Sequence, residues 1–251
     1  MMPLADYHVH TVFCDGKNTP EEVVKAAIEK GMDAIGFSGH SHTAFDASWC
    51  MSVDGTAAYR KEIARLKKAY AGKIKIFCGV EQDYFSDAST EGYDYVIGSV
   101  HYLCVNGEYI PVDESAEDLK AAAEKQFGGD MMALCEKYYR TAANVCEKTN
   151  CDIIGHFDLI TKFNNGGALF DENDPRYIAA WQKAADKLLR SGKVFEINTG
   201  AISRGYRTQP YPSADIRSYI KAKGGTFILS GDSHSADTLC FQFDRWNSEL
   251  D

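Results

Sequence analysis

The sequence predicts an α/β protein that folds as a single domain, a distorted (β/α)7 barrel of the TIM type. Seven short apolar, β-branched segments recur along the chain, and helix-like segments lie between them. Alternating strands and helices require right-handed parallel crossovers, and seven such units are about enough to close a barrel, although an open sheet satisfies the same pattern. A chain of 251 residues with 45% hydrophobic content can bury one large core, so we expect one domain over residues 1–251.

The predicted strands are short and are bounded by turn residues. In chain order they span residues 5–9, 33–38, 74–80, 95–100, 152–155, 194–198 and 226–230.

Two of the intervening helices have clear start and stop signals. Thr19 can cap the first helix, Pro20 fits its first turn, Glu22 completes a capping box and Gly31 ends it. The second spans residues 174–190, with an aspartate cap, a proline in the first turn and a Ser-Gly pair after its end.

Three connections are longer than ordinary strand-helix links. They cover residues 43–72, 106–150 and 161–174. We expect them to add helices or loops above the barrel mouth, where substrate selection usually resides.

Composition excludes several classes of partner. The formal charge of −9, from 27 basic and 36 acidic residues, argues against a general nucleic-acid or anionic-membrane surface. The N-terminus lacks a signal-peptide pattern, and no run of about 18 apolar residues is present to span a bilayer, so we expect a soluble, cytoplasmic protein. Eight cysteines without a CxxC pair are typical of reduced thiols. The sequence leaves the oligomeric state open.

All seven histidines lie at predicted strand ends, where acids are also found. The histidines are His8, His10, His40, His42, His101, His156 and His234, and the acids are Asp15, Glu81 and Asp232. Residues i and i+2 of a strand face the same way, so His8 and His10 can bind one ion, as can Asp232 and His234. These pairs belong to the first and last strands, which are neighbours in a closed barrel. The pattern predicts a polynuclear metal site, and its donors suit Zn, Mn or Fe.

The order of the motifs resembles a known family. HVH, Asp15, GFSGH, GVEQD, SVHY, GHFD and GDSH follow one another as in the polymerase-and-histidinol-phosphatase (PHP) superfamily. The chain is most similar to the monofunctional histidinol-phosphatase branch, and the resemblance extends from His8 to His234.

The resemblance implies two to three divalent transition-metal ions and nine ligands. A first ion would be held by His8, His10, Glu81 and Asp232. Glu81 would bridge to a second ion, held by His101 and His156. A third would be held by Asp15, His40 and His234. His42 has no ligand counterpart.

The resemblance also implies hydrolysis of a small phosphorylated metabolite, L-histidinol phosphate, to L-histidinol and phosphate in histidine biosynthesis. A metal-bound hydroxide would attack phosphorus, since clustered cations lower the pKa of a bound water and absorb charge on the phosphoryl oxygens. A metal-bound water, Asp232 or His42 would protonate the leaving alkoxide, and the sequence does not choose between them.

Candidate substrate contacts lie near the ends of the fifth and sixth strands, with His42 after the second. Arg204 and Arg207 stand on a glycine-rich loop that resembles the family's segment after its sixth strand, and guanidinium groups suit phosphate. Lys162 is a third candidate for the phosphate, while Asn198 and His42 are candidates for the rest of the substrate. Arg204, Asp232 and His42 are the predicted catalytic residues.

Other functions remain as alternatives. The nearest is a PHP phosphoesterase that acts on a nucleotide or another small phosphate ester. An amidohydrolase-type C–N hydrolase normally has a bridging lysine, whereas Glu81 occupies that position here. A non-catalytic metal-binding module would have a closed ligand set without open coordination positions.

Overall fold

A computed structural model describes residues 4–250 and shows a seven-stranded parallel sheet curled into a nearly closed barrel. Nine strands are present in this part of the chain: β1 (Ala5–Asp6), β2 (Ala34–Phe37), β3 (Lys75–Asp83), β4 (Tyr95–Ser99), β5 (Tyr102–Val105), β6 (Glu108–Pro111), β7 (Ile153–Ile154), β8 (Val194–Asn198) and β9 (Phe227–Ser230). The order in the large sheet is β1-β2-β3-β4-β7-β8-β9, with every neighbouring pair parallel. The predicted barrel is confirmed, and all seven predicted segments contribute a strand to it.

The first and last strands meet just beyond their ends. Val9 and Ser233 form a parallel bridge, in which His10 N donates to Ser233 O over 2.9 Å and Ser233 N donates to His8 O over 2.9 Å. The barrel therefore closes at the level of the predicted metal ligands, which the alternative of an open sheet would have kept apart.

Helices flank the sheet on its outer side. Those in residues 4–250 are α1 (Pro20–Glu29), α2 (Val53–Ala69), α3 (Ala116–Phe127), α4 (Met131–Ala142), α5 (Val145–Thr149), α6 (Pro175–Leu189), α7 (Gly200–Ser203), α8 (Ala214–Ala222) and α9 (Phe243–Trp246). The capping box of Thr19 and Glu22 is formed, and Asp174 accepts from Arg176 N at the start of α6, so both predicted helix starts are confirmed. None of these helices is both long and apolar enough to cross a membrane.

The barrel interior below the metal ligands contains the ring of Tyr95, in a small apolar cluster with Ile97 and Ile153. The Tyr95 hydroxyl crosses to donate to Tyr7 O over 2.5 Å and to Phe37 O over 3.1 Å. A Cβ placed on Gly79 would lie 2.2 Å from the Tyr95 ring, and one on Gly36 would lie 2.5 Å from its hydroxyl. Glycine at these positions makes room for the ring, which separates the metal site from the other end of the barrel.

A β-hairpin above the barrel mouth was not predicted. Strands β5 and β6 pair antiparallel directly after His101, and the turn between them has positive φ at Asn106 (52°) and Gly107 (82°). Tyr109 of this hairpin stacks on Phe45 with 3.8 Å between ring centroids. The hairpin is thereby joined to the segment after β2, and both contribute to the wall of the cavity described below.

Candidate metal centre

The carboxyl ends of the strands bring all nine predicted ligands into one cluster. They are His8, His10, Asp15, His40, Glu81, His101, His156, Asp232 and His234, and each has a ring nitrogen or carboxylate oxygen within 4.0 Å of another member. Parallel strands of a barrel end at the same edge, so short segments far apart in sequence can supply these donors together.

The first group combines donors from the first and last strands. His10 Nε2 lies 3.3 Å from Asp232 Oδ1, and His8 Nε2 lies 3.8 Å from the same oxygen. Glu81 Oε2 is 3.2 Å from His8 Nε2 and 3.6 Å from His10 Nε2. These four side chains are the set that the resemblance implies for one ion.

Glu81 also faces a second set of imidazoles. Its Oε1 lies 2.9 Å from His156 Nε2 and 3.3 Å from His101 Nε2. Its Oε2 lies 2.8 Å from His40 Nδ1, so His40 approaches this carboxylate as well as the third group. Because its two oxygens have different neighbours, Glu81 is placed as a bridging carboxylate would be.

The third group surrounds Asp15, the most exposed of the donors. Asp15 Oδ2 lies 3.0 Å from His234 Nε2 and 3.6 Å from His40 Nε2, and Asp15 Oδ1 lies 3.6 Å from His10 Nδ1. His10 thus presents one ring nitrogen to the first group and the other to the third.

These separations suit shared divalent ions. Donor atoms about 2.0–2.2 Å from a common ion are roughly 3–3.5 Å from one another. Within residues 4–250, several buried atoms of the cluster have no hydrogen-bond partner: His8 Nε2, His10 Nε2, His40 Nδ1, Glu81 Oε2 and His156 Nδ1. Buried polar atoms that converge without partners are costly unless a ligand satisfies them. The donor set therefore fits divalent metal ions.

The electrostatics of the cluster also favour bound cations. Burial alone would raise the pKa of Glu81, but the charges on His8, His40 and His101 hold it well below its usual range. Burial, together with the charges on His234 and His40, lowers the pKa of His10 to about 3, which leaves that imidazole neutral and able to bind a metal.

Two further carboxylates orient the ligands from behind. Glu196 Oε1 lies 2.6 Å from His8 Nδ1, while its Oε2 accepts from His156 N over 2.9 Å. Asp83 Oδ2 lies 3.2 Å from His101 Nδ1 and accepts from His101 N over 3.1 Å. Carboxylates in this position fix the tautomer and direction of a ligating imidazole.

Glu196→Gln is expected to weaken metal binding by about 10–100-fold, the usual cost of losing such an orienting group. The amide keeps the shape of the side chain but removes the charge that faces His8. Titration of divalent metal against a competing chelator measures the effect, and circular dichroism checks the fold. Wild-type affinity in a folded variant would show that His8 needs no such support.

A cavity of about 570 Å³ opens above the cluster. Its wall includes seven of the nine predicted ligands together with Asp46, Ser48, Trp49, Tyr102, Pro111, Asp113, Glu114, Leu159, Lys162, Arg204 and Tyr206. A cavity of this volume accommodates a small metabolite.

Two of the predicted substrate contacts line this cavity. Arg204 donates to Asp232 Oδ2 over 3.1 Å and to Asp232 O over 2.9 Å, so its guanidinium lies beside the metal ligands. Lys162 donates to Asp113 O over 2.7 Å, and its Nζ lies 3.3 Å from Asp113 Oδ2. Both cations therefore border the space above the cluster.

Three other predicted contacts do not line the cavity. Arg207 is buried, donates to Thr161 Oγ1 and lies 3.9 Å from Asp158 Oδ2. Asn198 is also buried, and its Nδ2 lies 3.1 Å from Glu196 Oε2. His42 turns toward the backbone, with Nδ1 3.2 Å from Met51 O. Their side chains are directed by neighbouring protein groups.

Sequence reasoning missed several residues of the cavity wall. Asp46 and Trp49 lie in the segment after β2, and Asp113 and Glu114 follow the unpredicted hairpin. The Asn-Gly pair of that hairpin, between apolar runs, was the available signal.

The comparisons with known proteins agree with this geometry. The PHP domain family matches residues 6–200 of the chain. A "Probable histidinol-phosphatase" of Deinococcus radiodurans is 30% identical over 259 residues, covering 97% of this chain and 91% of that protein. A Listeria monocytogenes structure superposes with a TM-score of 0.81 at 20% identity, covering 96% of this chain and 99% of that one.

A second solved structure carries ligands. It is a histidinol phosphate phosphatase of Lactococcus lactis subsp. lactis, complexed with zinc, L-histidinol and phosphate, and it superposes with a TM-score of 0.70 at 23% identity, covering 99% of this chain and 92% of that one.

The family match and the Deinococcus relative each span most of this sequence. The chain therefore belongs to the PHP family, in its histidinol-phosphatase branch.

Proposed function

We propose that this protein is a metal-dependent histidinol-phosphatase, which converts L-histidinol phosphate and water to L-histidinol and phosphate. The observation that carries the proposal is the position of Glu81, between two sets of imidazoles at the floor of a cavity that also presents Arg204 and Lys162. The relatives named for this activity, and the neighbour with zinc, L-histidinol and phosphate, support the same substrate.

Two to three divalent transition-metal ions, Zn, Mn or Fe, would be held by the nine ligands in the three groups described above. When bound, such ions supply an activated water and neutralise charge on the phosphoryl oxygens. The domain that performs this chemistry takes in the whole of residues 1–251, because Asp232 and His234 lie beyond the segment that the family matches.

Arg204 and Lys162 bind and orient the phosphate. The Arg204 guanidinium is held by Asp232, so its direction is fixed before substrate arrives, and a fixed fork loses little entropy on binding an anion. Asp232 Oδ1 faces the imidazoles, whereas Oδ2 faces Arg204. Asp232 Oδ2 therefore fixes the direction of the guanidinium, and although burial alone would raise the pKa of Asp232, the charges on Arg204 and His8 hold it well below its usual range.

The outer wall of the cavity favours a leaving group with positive charge. Tyr102 donates to Asp46 Oδ2 over 2.7 Å and accepts from Trp49 Nε1 over 2.9 Å, which forms a wall of two aromatic rings ending in a carboxylate. Asp113 is paired with Lys162, but among residues 4–250 neither Asp46 nor Glu114 has an ion-pair partner. Histidinol carries an ammonium and an imidazole, which suit this wall, whereas a second phosphate would be repelled.

Asp46→Asn is expected to lower kcat/KM for L-histidinol phosphate by about 10- to 100-fold, in line with the roughly 1.5–3 kcal/mol of a hydrogen bond to a charged group. The loss should nearly vanish with 3-(imidazol-4-yl)propyl phosphate, which lacks the amino group. Steady-state kinetics of wild type and Asp46→Asn with each ester measure how much of the loss depends on the ammonium group of the substrate. An equal loss with both esters would contradict this contact.

The decisive experiment measures phosphate release from L-histidinol phosphate, a nucleoside monophosphate and an aryl phosphate, using metal-reconstituted protein and a chelated control. We expect metal-dependent hydrolysis that is selective for L-histidinol phosphate. Metal-dependent activity confined to the other esters would support the metal-dependent mechanism but would show that the protein is a PHP phosphoesterase with a different substrate. Absence of metal-dependent hydrolysis of all three would overturn the proposal.

A further inference from the structure

A pair of cysteines lies at the end of the barrel opposite the metal ligands. Cys146 belongs to α5, and Cys151 lies two residues before β7. Asn150 between them has a positive φ of 51°, which turns the chain back on itself and brings the two sulfur atoms to 3.5 Å. The chain fold alone therefore holds these thiols in contact.

The environments of the two sulfur atoms differ. Cys151 is fully buried against β4, where a Cβ added to Gly98 would lie 2.8 Å from its Sγ. Cys146 is only partly buried, and Ser191 Oγ lies 3.6 Å from its Sγ. One thiol can thus meet a small reagent from solvent, while the other is shielded from it.

Cys146 also has the properties of the more reactive thiol. The hydrogen bond from Cys151, opposed by burial and aided by Ser191 and the charge on Lys193, lowers the pKa of Cys146 to about 7. The same hydrogen bond, together with burial, raises the pKa of Cys151 far above its usual range. Because the thiolate is the nucleophile, an oxidant should react first at Cys146.

We propose that Cys146 and Cys151 form a modification site that hydroperoxides oxidise reversibly to a disulfide. The Cys146 thiolate attacks one peroxide oxygen, an S–O bond forms as the O–O bond breaks, and the departing oxygen leaves as water or an alcohol. Cys151 then loses its proton and attacks the sulfenic sulfur, so that an S–S bond forms, the S–O bond breaks and water leaves. Two thiols are oxidised by two electrons and one peroxide is reduced.

The bond would join the first turn of α5 to the segment that leads into β7. The sulfur atoms must approach by about 1.5 Å to reach the usual S–S length, a movement within the reach of side-chain rotation. The segment that continues from β7 carries His156, so the modification would fix the base of the strand that presents a metal ligand.

Peptide mass spectrometry tests this directly, because Lys148 lies between the two cysteines. Trypsin separates residues 141–148 from residues 149–162, and each peptide contains one cysteine. After treatment of the holoenzyme with hydrogen peroxide and alkylation of free thiols, we expect these peptides to remain linked, and dithiothreitol to separate them. A peroxide-treated wild type whose peptides 141–148 and 149–162 are never linked would overturn the proposal.

Variants assign the order of the two steps. Cys151→Ser should stop at a sulfenic acid on Cys146 that dimedone captures, whereas Cys146→Ser should leave Cys151 unmodified. Cys240→Ser is the matched control, since Cys240 is also a partly buried free thiol, and it should form the linked peptides like wild type. Dimedone labelling of Cys151 in the Cys146→Ser variant would contradict the proposed order. The linked-peptide measurement uses the wild-type protein, so it holds even if a variant fails to fold.

Discussion

Replacement of Glu81 by glutamine is expected to reduce turnover by about 10³-fold or more and to lower the bound metal, because one carboxylate serves two groups of ligands. Removing a single electrostatic group from an active site typically costs about 10²–10³ in kcat, and here the metal set is disturbed as well. Glu81 is 1% exposed, and its oxygens lie 2.8–3.6 Å from five imidazoles. An uncharged amide cannot balance cations on both sides.

Metal content by elemental analysis and phosphate release on the same samples separate the two effects. Glu91→Gln is a suitable control, since Glu91 is exposed and precedes β4, at the opposite end of the barrel. This control should bind metal and turn over substrate like wild type. A Glu81→Gln protein with full metal content and wild-type turnover would rule out the bridging role.

Arg204→Met is expected to lower kcat/KM for the phosphate ester by about 10²-fold and to weaken inhibition by inorganic phosphate, since the neutral side chain cannot pair with phosphoryl oxygens. Arg204 is the cation closest to the ligands of the first group, and its NH2 lies 3.1 Å from Asp232 Oδ2. Kinetics with and without phosphate measure the change, with metal content determined alongside. Unchanged phosphate inhibition with a loss of bound metal would instead show that Arg204 positions the metal ligand Asp232 and does not bind the phosphate.

Arg207→Met provides the contrast within the same loop. Arg207 lies beside the buried Asp158, and burial raises the pKa of that carboxyl to about 6, with the nearby guanidinium charge opposing the rise. Removal of the cation leaves Asp158 without its charge partner. The free energy of unfolding, measured by denaturant titration, should therefore fall by a few kcal/mol. Inhibition by inorganic phosphate should be as strong as in the wild-type protein. Loss of this inhibition would show that Arg207 contacts the substrate after all.

The sequence predicted the metal donors better than the substrate wall, and the reason is geometric. His8 and His10 are two residues apart in an extended segment and face the same way, and barrel closure places Asp232 beside them. The two-residue period of a strand and the barrel topology were therefore sufficient to predict these donors. Arg207 stands on a loop, where no period determines side-chain direction, and it turned inward to Asp158. Glu196 lies within the sixth predicted strand, but its contact with His8 depends on inter-strand register, which the sequence does not show.

The wall residues posed a different difficulty. Asp46 and Asp113 are ordinary acids in long connections, and only the packing of Tyr109 on Phe45 brings the hairpin and the segment after β2 to the same cavity. Such contacts between two irregular segments have no signature in either segment alone. Their positions depend on tertiary packing rather than on local propensity.

The bridge between Val9 and Ser233 has a consequence for biogenesis. The first group of donors joins His8 and His10 to Asp232, so these ligands can meet only after all of the residues between them have been synthesised. Contacts of such long sequence range form late, since the entropy of loop closure must be overcome first. The first group is thus completed only after Asp232 has left the ribosome, later than the contacts of Glu81 with His101 and His156 can form.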